Sequence, residues 1–411
     1  MHVITARSSH AYIRYNSLDM VVGAQVVNAL VLGSGLIGPT IAQDLLESSE
    51  TKQVVVADKD PERLKACSSK LAGGRLSTQI IDVSDQSATS KLIKGFDVAI
   101  CALPHGLTIA ADRAAIEAGV SLIDLAFESG QMTLDNEACK AGVTLIPGCG
   151  VAPGLTNILA SHAAENLDVV EEVHIKCGGI PQRPVPPLWY KVVFSLESVL
   201  DMYTRRVRIV REGKMVEVES LSDLEPVDFP PPFGRLECFN TDGLATLLHT
   251  MKNVRAMDEK TIRWPGHIQK IKTMIECGLL GTDPIRVGSF QIQPREVVAK
   301  LLSPILALGD DKDVTLLRVD VVGRKDDSQM HCTYDMIDYF DEVKQVTSMA
   351  RTTAYPASIA AQMIVRGEIQ DKGIVPPERA FKGPTYSKLV AELAKRNITF
   401  KETVRSERHL K

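Results

Sequence analysis

The chain has 411 residues, 45% hydrophobic and 24% charged, with a formal net charge of −4. That length suggests roughly two or three domains around a sizeable core; no basic stripe argues for nucleic acid, and no apolar run reaches membrane-spanning length. Eight cysteines without a C-x-x-C pair and nine histidines without an H-x-x-x-H spacing point to reduced thiols in a cytoplasmic protein, with no metal.

Residues 1–26 carry Arg7 and Arg14 but no long apolar region ahead of a cleavage site, so they do not read as a secretory signal. They are expected to form an N-terminal lead outside the fold, either disordered or upstream of the natural start, with Met20 closer to the first strand.

The first strand opens the most informative stretch, Asn28-Ala-Leu-Val-Leu-Gly-Ser-Gly-Leu-Ile-Gly38. An apolar run leads into G-x-G-x-x-G at Gly33, Gly35 and Gly38, and a helix pattern follows, with Ile37, Ile41 and Leu45 on one face. Gly33 makes the tight turn, Gly35 lets the backbone approach a pyrophosphate, and Gly38 lets the helix pack on the sheet. The helix N-terminus then points free N–H groups and a positive dipole end at the phosphates, and Pro39 costs nothing in the first turn.

A second strand, Gln53–Asp58, ends in an acid twenty residues after Gly38. There a carboxylate would accept hydrogen bonds from an adenosine ribose and repel a 2′-phosphate, so NAD is expected over NADP, although Lys59 and Arg63 lie close by. Asp60-Pro61 reads as a cap and first-turn proline, and a second acid follows at Ile80-Ile-Asp82.

Strands are expected near 28–32, 53–58, 77–82, 96–102, 120–124 and 143–147, with helices near 37–48, 61–72, 86–94, 106–118 and 133–141. Apolar strands joined by short helical crossovers specify an α/β fold, a Rossmann-type doubly wound parallel sheet whose ligands lie beyond the strand C-termini. The expected cofactor residues are Gly33, Gly35, Leu36, Ile37, Gly38, Asp58, Asp82, Val83, Ala102, Leu103 and Pro104.

A helix from Pro153 to about residue 166 leaves this domain, and the periodicity changes. Residues 171–178, 205–219 (a hairpin across Gly213-Lys214), 314–322 and 331–339 alternate like half-exposed strands, with helices near 195–203, 243–251, 266–279 and 295–307. Pro181–Pro187 and Pro230-Pro-Pro232 read as loops in this α+β domain. A helix over 357–366, rich in small residues, suits close packing back on the first domain, and the charged 401–411 tail reads as a solvated end. The expected division is 27–165 plus 350–411 for the cofactor domain and 166–349 for a substrate and oligomerisation domain.

Several stretches resemble the saccharopine dehydrogenase family, most closely its lysine 6-dehydrogenase branch. They are VLGSGLIG (31–38), LIDLA (122–126), IPGCGVAPGLTNILA (146–160), GGIPQRPVPPLWYKVVFSLESVLDMYT (178–204), FNTDGLATL (239–247), KTIRWPGH (260–267) and MARTTAYPASIAAQMI (349–364). The resemblance implies a two-domain NAD(P)-linked enzyme acting on the C–N bond of a lysine-like amino acid, with a second domain that contributes to a homo-oligomer. Two departures bear on the substrate. Glu128 and its surroundings differ from the Gly-Gly-His of the lysine 6-dehydrogenase branch, and Ala152 replaces the Asp of the saccharopine reductase C-G-x-x-P-G pattern.

Oxidising an amine needs a base for the nitrogen's proton and a charge anchor for the amino acid. Asp124 is the candidate catalytic carboxylate, against the alternative that it caps the next loop. His105 is a weaker proton-shuttle candidate, read rather as a helix cap or cofactor neighbour. Arg263 is the candidate carboxylate anchor, against a salt-bridged strand residue, and His267, Tyr190, Thr241 and Asp242 are candidate pocket residues. Cys149 reads as packing. The leading expectation is NAD-dependent oxidative deamination of the L-lysine ε-amine. The alternatives are a saccharopine-type reductase and, from another class, a non-catalytic NAD-binding regulator.

Overall fold

The structure, a computed structural model, describes residues 27–71 and 73–408; the N-terminal lead lies outside the described residues. The first half alternates β1 (Val27–Leu32), α1 (Gly38–Glu47), β2 (Thr51–Asp58), α2 (Pro61–Lys70), β3 (Leu76–Ile80), α3 (Gln86–Ile93), β4 (Val98–Cys101), α4 (Thr108–Ala118), β5 (Ser121–Asp124), α5 (Asp135–Ala141), β6 (Thr144–Ile146) and α6 (Leu155–Glu165). The second half runs β7 (Val169–Pro181), α7 (Leu196–Thr204), β8 (Val207–Arg211), β9 (Lys214–Val218), β10 (Glu225–Phe229), β11 (Gly234–Thr241), α8 (Leu247–Thr250), β12 (Ala256–Arg263), α9 (His267–Glu276), β13 (Ile285–Val287), β14 (Phe290–Ile292), α10 (Pro294–Leu306), β15 (Asp313–Lys325) and β16 (Ser328–Tyr339). The chain closes with α11 (Ser348–Val365), β17 (Gly373–Ile374), α12 (Pro377–Ala380), α13 (Pro384–Lys395) and β18 (Lys401–Arg408).

The first sheet has seven parallel strands in the order β17-β6-β5-β4-β1-β2-β3. Its central strands are apolar on both faces because helices cover both. Along β1, Ala29 and Val31 join one core with Ile41 and Leu45 of α1, while Leu30 and Leu32 join another with Ala111 and Ala115 of α4. Order reverses between β1 and β4, which opens a crevice at their C-terminal ends.

The second sheet has nine strands, β10-β11-β12-β7-β15-β16-β18, with β8 and β9 attached beside β12. The sequence reading found β7, the β8–β9 hairpin, β15 and β16, but not β10, β11 and β12. β12 escapes notice because it carries the run Asp258-Glu259-Lys260, yet it lies between β11 and β7 with Glu259 and Lys260 both buried. Lys260 is accommodated by the carbonyl of Asp223 at 2.9 Å and the Glu225 carboxylate at 3.1 Å.

Helix α11 starts earlier than expected. Thr347 caps it, and both oxygens of Asp313 accept from its first amides, Ser348 N at 2.7 Å and Met349 N at 2.8 Å, so Pro356 lies inside the helix rather than before it. It packs on α1, β4 and β5 of the first domain and on β15 of the second sheet, and β17 extends the parallel sheet. The expected assignment of 350–411 to the cofactor domain needs one correction: residues 401–408 form β18 and pair along β16 from Ser328↔Arg408 to Asp335↔Lys401. The segment is charged because it is an edge strand with one side in water. The Tyr334 hydroxyl donates to Glu402 at 2.7 Å.

Deleting residues 401–411 removes β18 and bares the β16 edge. The shortened protein should melt several degrees lower and aggregate more readily on heating, as followed by calorimetry and light scattering. An unchanged melting temperature and light-scattering profile would contradict the pairing.

Candidate active site

A cleft of about 1620 Å³ runs between the C-terminal ends of the parallel strands and the second sheet. At the first-domain end the glycines divide the work as the sequence suggests. Gly33 has φ +104°, and an added Cβ would meet the Ala102 carbonyl at 2.5 Å; a Cβ on Gly38 would lie 1.9 Å from the Gly33 carbonyl; Gly35 faces open space. No side chain caps α1; Pro39 has no amide and Thr40 N bonds the Ile37 carbonyl at 3.0 Å, so the Gly38 amide is the first-turn donor left for a ligand among the described residues. Asp58 closes this end. Its Oδ2 accepts from the Ser34 amide at 2.7 Å and hydroxyl at 2.8 Å, and its Oδ1 accepts from the Asp60 amide at 3.0 Å. Burial pushes the Asp58 pKa up, but the Ser34 and Asp60 amides and Arg63 pull it below the ordinary value. These residues fit a dinucleotide: open backbone at Gly35, a free Gly38 amide at the start of α1, and an ionised acid at the ribose position.

At the other end, β12 places Glu259, Thr261 and Arg263 along the cleft. Arg263 is 1% exposed. Its Nη1 donates to the Ile262 carbonyl at 2.8 Å and its Nε to the Tyr203 hydroxyl at 3.4 Å, with the Tyr190 ring centroid 4.5 Å from the guanidinium carbon. Among the described residues no carboxylate lies within ion-pair distance of it. A buried guanidinium without a counter-ion is costly, and the cleft beside it is where an anion would satisfy it.

Behind Arg263 stands a neutral relay. Tyr203 bonds His267 Nε2 at 2.8 Å, and His267 Nδ1 donates to the Leu188 carbonyl at 2.7 Å. That bond leaves Nε2 to accept from the tyrosine. Burial and then Arg263 push the His267 pKa down to about 3, so the ring is uncharged and acts as a strut.

The predicted residues therefore separate. Gly33, Gly35, Leu36, Ile37, Asp58, Asp82, Val83, Ala102, Leu103 and Pro104 line the cleft, as do Thr241, Asp242 and Arg263; Gly38 lies just beneath, packed on Gly33. Asp82 is exposed, and its Oδ1 holds the Ser84 amide at 3.0 Å. Asp242 pairs with Arg205 at 3.0 Å. Tyr190 and His267 sit behind Arg263 rather than on the cleft wall.

Asp124 is the clear correction. It is fully buried on the far side of β5, where Oδ1 accepts from the Ala126 amide at 2.9 Å and Oδ2 from Gln131 Nε2 at 3.3 Å, and it does not border the cleft. The same Gln131 amide donates to Asp112 at 2.8 Å. Burial and Asp112 push the Asp124 carboxyl well above its ordinary range. It holds the following loop, the alternative weighed for it. His105 borders the cleft but does not cap α4, whose cap position is Leu107; Glu128 ties down the turn before the helix, accepting from Gly106 N and the Thr108 hydroxyl, each at 2.6 Å.

Glu259 was missed. It is 3% exposed; its Oε2 accepts from the Thr241 hydroxyl and, at 3.1 Å, from the Gly243 amide. Burial pushes its pKa up to about 7 against those hydrogen bonds, helped by Asp242 and Asp258. The signal lay in the alternation Glu259-x-Thr261-x-Arg263, hidden by the charged run before it.

Two family models match the chain: "Saccharopine dehydrogenase NADP binding domain" over residues 29–146 and "Saccharopine dehydrogenase C-terminal domain" over residues 150–398. Saccharopine dehydrogenase (NADP(+), L-glutamate-forming) of Saccharomyces cerevisiae is 22% identical, covering 85% of this chain and 93% of that protein. Carboxyaminopropylagmatine dehydrogenase of Synechocystis sp. is 21% identical, covering 89% of this chain and 95% of its own length. Mitochondrial alpha-aminoadipic semialdehyde synthase of Mus musculus is 23% identical over 88% of this chain, which spans only 46% of that protein. Among solved structures, apo saccharopine dehydrogenase (L-Glu forming) from Saccharomyces cerevisiae shares the fold with a TM-score of 0.76 at 20% identity, covering 92% of this chain and 100% of that one.

The two glycines at the crevice should separate in experiment. Gly35→Ala should keep its melting temperature but bind NAD(P)H on the order of 10-fold more weakly, because the methyl group occupies the pyrophosphate approach. Gly38→Ala should lower the melting temperature, because its Cβ collides with the Gly33 carbonyl. Calorimetry and cofactor fluorescence titration read both; equal behaviour of the two variants would contradict the assignment.

Proposed function

The chain belongs to the saccharopine dehydrogenase family, and from that premise we propose that it is a nicotinamide-dependent oxidoreductase of the C–N bond in a lysine-related amino acid. The observation that carries the reading is Arg263: a buried fork of donors, unpaired among the described residues, at the cleft end away from the glycine turn. It suits an α-carboxylate held by two parallel bonds, leaving the side-chain nitrogen to reach toward the nicotinamide. When bound, the nicotinamide supplies the hydride acceptor. The chain positions the carbon that gives up hydride near Ala102–Pro104 and holds the far end.

The first form of this reading is a saccharopine-type secondary amine that links the lysine-like unit to a second carboxylate-bearing unit. The names of the yeast and Synechocystis relatives favour it, as do Arg208 and Lys300, which border the cleft and have no carboxylate partner among the described residues. The second form, the one the sequence alone puts first, is oxidative deamination of the lysine ε-amine. Arg263 favours it, because Arg205, Arg206 and Arg295 are already paired with Asp242, Glu219 and Asp201 and leave one deeply buried anchor. A homo-oligomer is also proposed, supported by the exposed apolar side chains of Val287, Phe290 and Leu301 at 51%, 69% and 63%.

NADH formation with saccharopine, lysine and a panel of other amines, run in parallel with NADP, tests the reading. Saccharopine should be turned over faster than lysine; turnover of neither would sink it. Arg263→Lys keeps the charge and loses the fork, and should lower kcat/KM by about 30-fold or more, for a loss of roughly 2 kcal/mol or more, while NAD(P)H affinity holds. Full activity in Arg263→Lys would remove the anchor.

We also propose NAD over NADP, on the charge of Asp58 against a 2′-phosphate, with Lys59, Arg63 and Lys70 at the same end moderating the ratio. Asp58→Ser should narrow or reverse it; equal use of both cofactors by the unmodified protein would contradict this.

A further inference from the structure

Strand alternation puts Glu259, Thr261 and Arg263 on one face of β12, and all three border the cleft. Opposite Glu259, β11 supplies Thr241 and β7 supplies Ile175; Cys177 of β7 lies opposite Thr261. One carboxylate oxygen of Glu259 is held by the Thr241 hydroxyl and the Gly243 amide. The other takes no hydrogen bond among the described residues. Gly243 has no room for a side chain, since a Cβ there would lie 2.7 Å from the Glu259 carboxyl carbon, so backbone packs directly on the acid and fixes its direction.

The spacing along β12 has a chemical meaning. Four residues along a strand cover roughly 13 Å. An extended lysine unit spans roughly 7 Å from carboxylate carbon to side-chain nitrogen by standard bond lengths, and a hydrogen bond at each end adds about 3 Å. The two residues thus leave the backbone, on the same face of β12, at a separation of the order that divides the two ends of one substrate. Resting on the function proposed above, we propose that Glu259 is the catalytic residue that takes the proton of the substrate's side-chain ammonium while Arg263 holds the α-carboxylate.

The step balances. The ammonium N–H bond breaks and its proton goes to the free oxygen of Glu259, leaving the lone pair on nitrogen. That pair forms the C=N bond as the adjacent carbon loses hydride, with both electrons of the C–H bond, to the oxidised nicotinamide. The products are a protonated imine and reduced cofactor; water then adds to the imine carbon and the amine departs.

The groups facing Glu259 are Thr241, Asp242 and the Gly243 amide from the β11 end, Thr261 and Arg263 from β12, and Cys177 from β7, while Asp258, paired with His174 on the opposite face of β12, acts on it through charge alone. Burial comes first among the causes that raise its pKa, with Asp242 and Asp258 adding to it. The ionised form is the one that accepts the proton, so amine oxidation should rise with pH through about 7 and then level.

The test is kcat/KM against pH for the wild-type protein and for Glu259→Gln, using the amine the wild-type protein turns over best. Glutamine keeps the acceptor for Thr241 and Gly243, so melting temperature and NAD(P)H affinity should hold. The rate should fall on the order of 100-fold and the acid limb should vanish, with Glu259→Asp recovering part of both. Wild-type turnover with an unchanged rate and acid limb in Glu259→Gln overturns the role of Glu259 and leaves the function standing. If the wild-type protein oxidises no amine of the panel, the function fails and this role with it. Should Glu259→Gln fail to fold, the wild-type profile decides: a rate flat from about pH 6 to about pH 8 overturns the proposal.

Discussion

The cleft depends on one helix shared by two sheets. α11 is buried on nearly every side, its start held by the Asp313 carboxylate of β15 and its middle by Ser358, whose hydroxyl donates to Asp44 of α1 at 2.6 Å. Arg396, near the end of α13, closes on the same Asp44 at 2.6 Å. Side chains of α11, α6, β1, β7 and β15 belong to one continuous apolar core. Close-packed interiors transmit displacement rather than absorb it, so the separation between the glycine turn and β12 is set by this packing. The small residues Ala354, Ala357, Ala360 and Ala361 are what let both sheets approach the same helix.

Within that frame the electrostatics are uneven in an instructive way. Of the cations around the cleft, Arg63, Arg205, Arg206 and Arg295 have carboxylate partners, each pair reaching solvent on at least one side, where an ion pair contributes little net stability. Arg263 and Glu259 do not pair with each other, and each leaves polar atoms turned toward the cleft with only partial satisfaction from Tyr203, Thr241 and backbone. The protein bears that desolvation without repayment in the described chain. A zwitterionic amine would repay it from both ends, which is why the two residues are read together.

Much of the first domain is legible in the sequence because its signals are local: apolar strands, cap residues such as Asp60, which accepts from Glu62 N at 2.9 Å, and glycines whose missing Cβ is explained by a backbone carbonyl. The second sheet is less so. β12 is flanked on both sides and carries charges compensated only in three dimensions, by Glu225 from β10 and Thr241 from β11. β18 pairs with β16 across some seventy positions, Asp335 to Lys401, and nothing local distinguishes a charged edge strand from a charged tail. Arg263, within the run KTIRWPGH, does border the cleft. Asp124 was misjudged because a strand's C-terminal position does not say which face its last side chain takes; here it turns to Gln131 and away from the cleft.

The measurement that bears most directly on this account is a crystal structure with a nicotinamide cofactor and a saccharopine or lysine ligand bound together. The pyrophosphate should lie over the backbone of Gly33–Gly38, with the ligand's α-carboxylate in two parallel bonds to Arg263 and its side-chain nitrogen toward the nicotinamide. A ligand bound the other way round, with its carboxylate on another cation and its amine beside Arg263, would contradict the account.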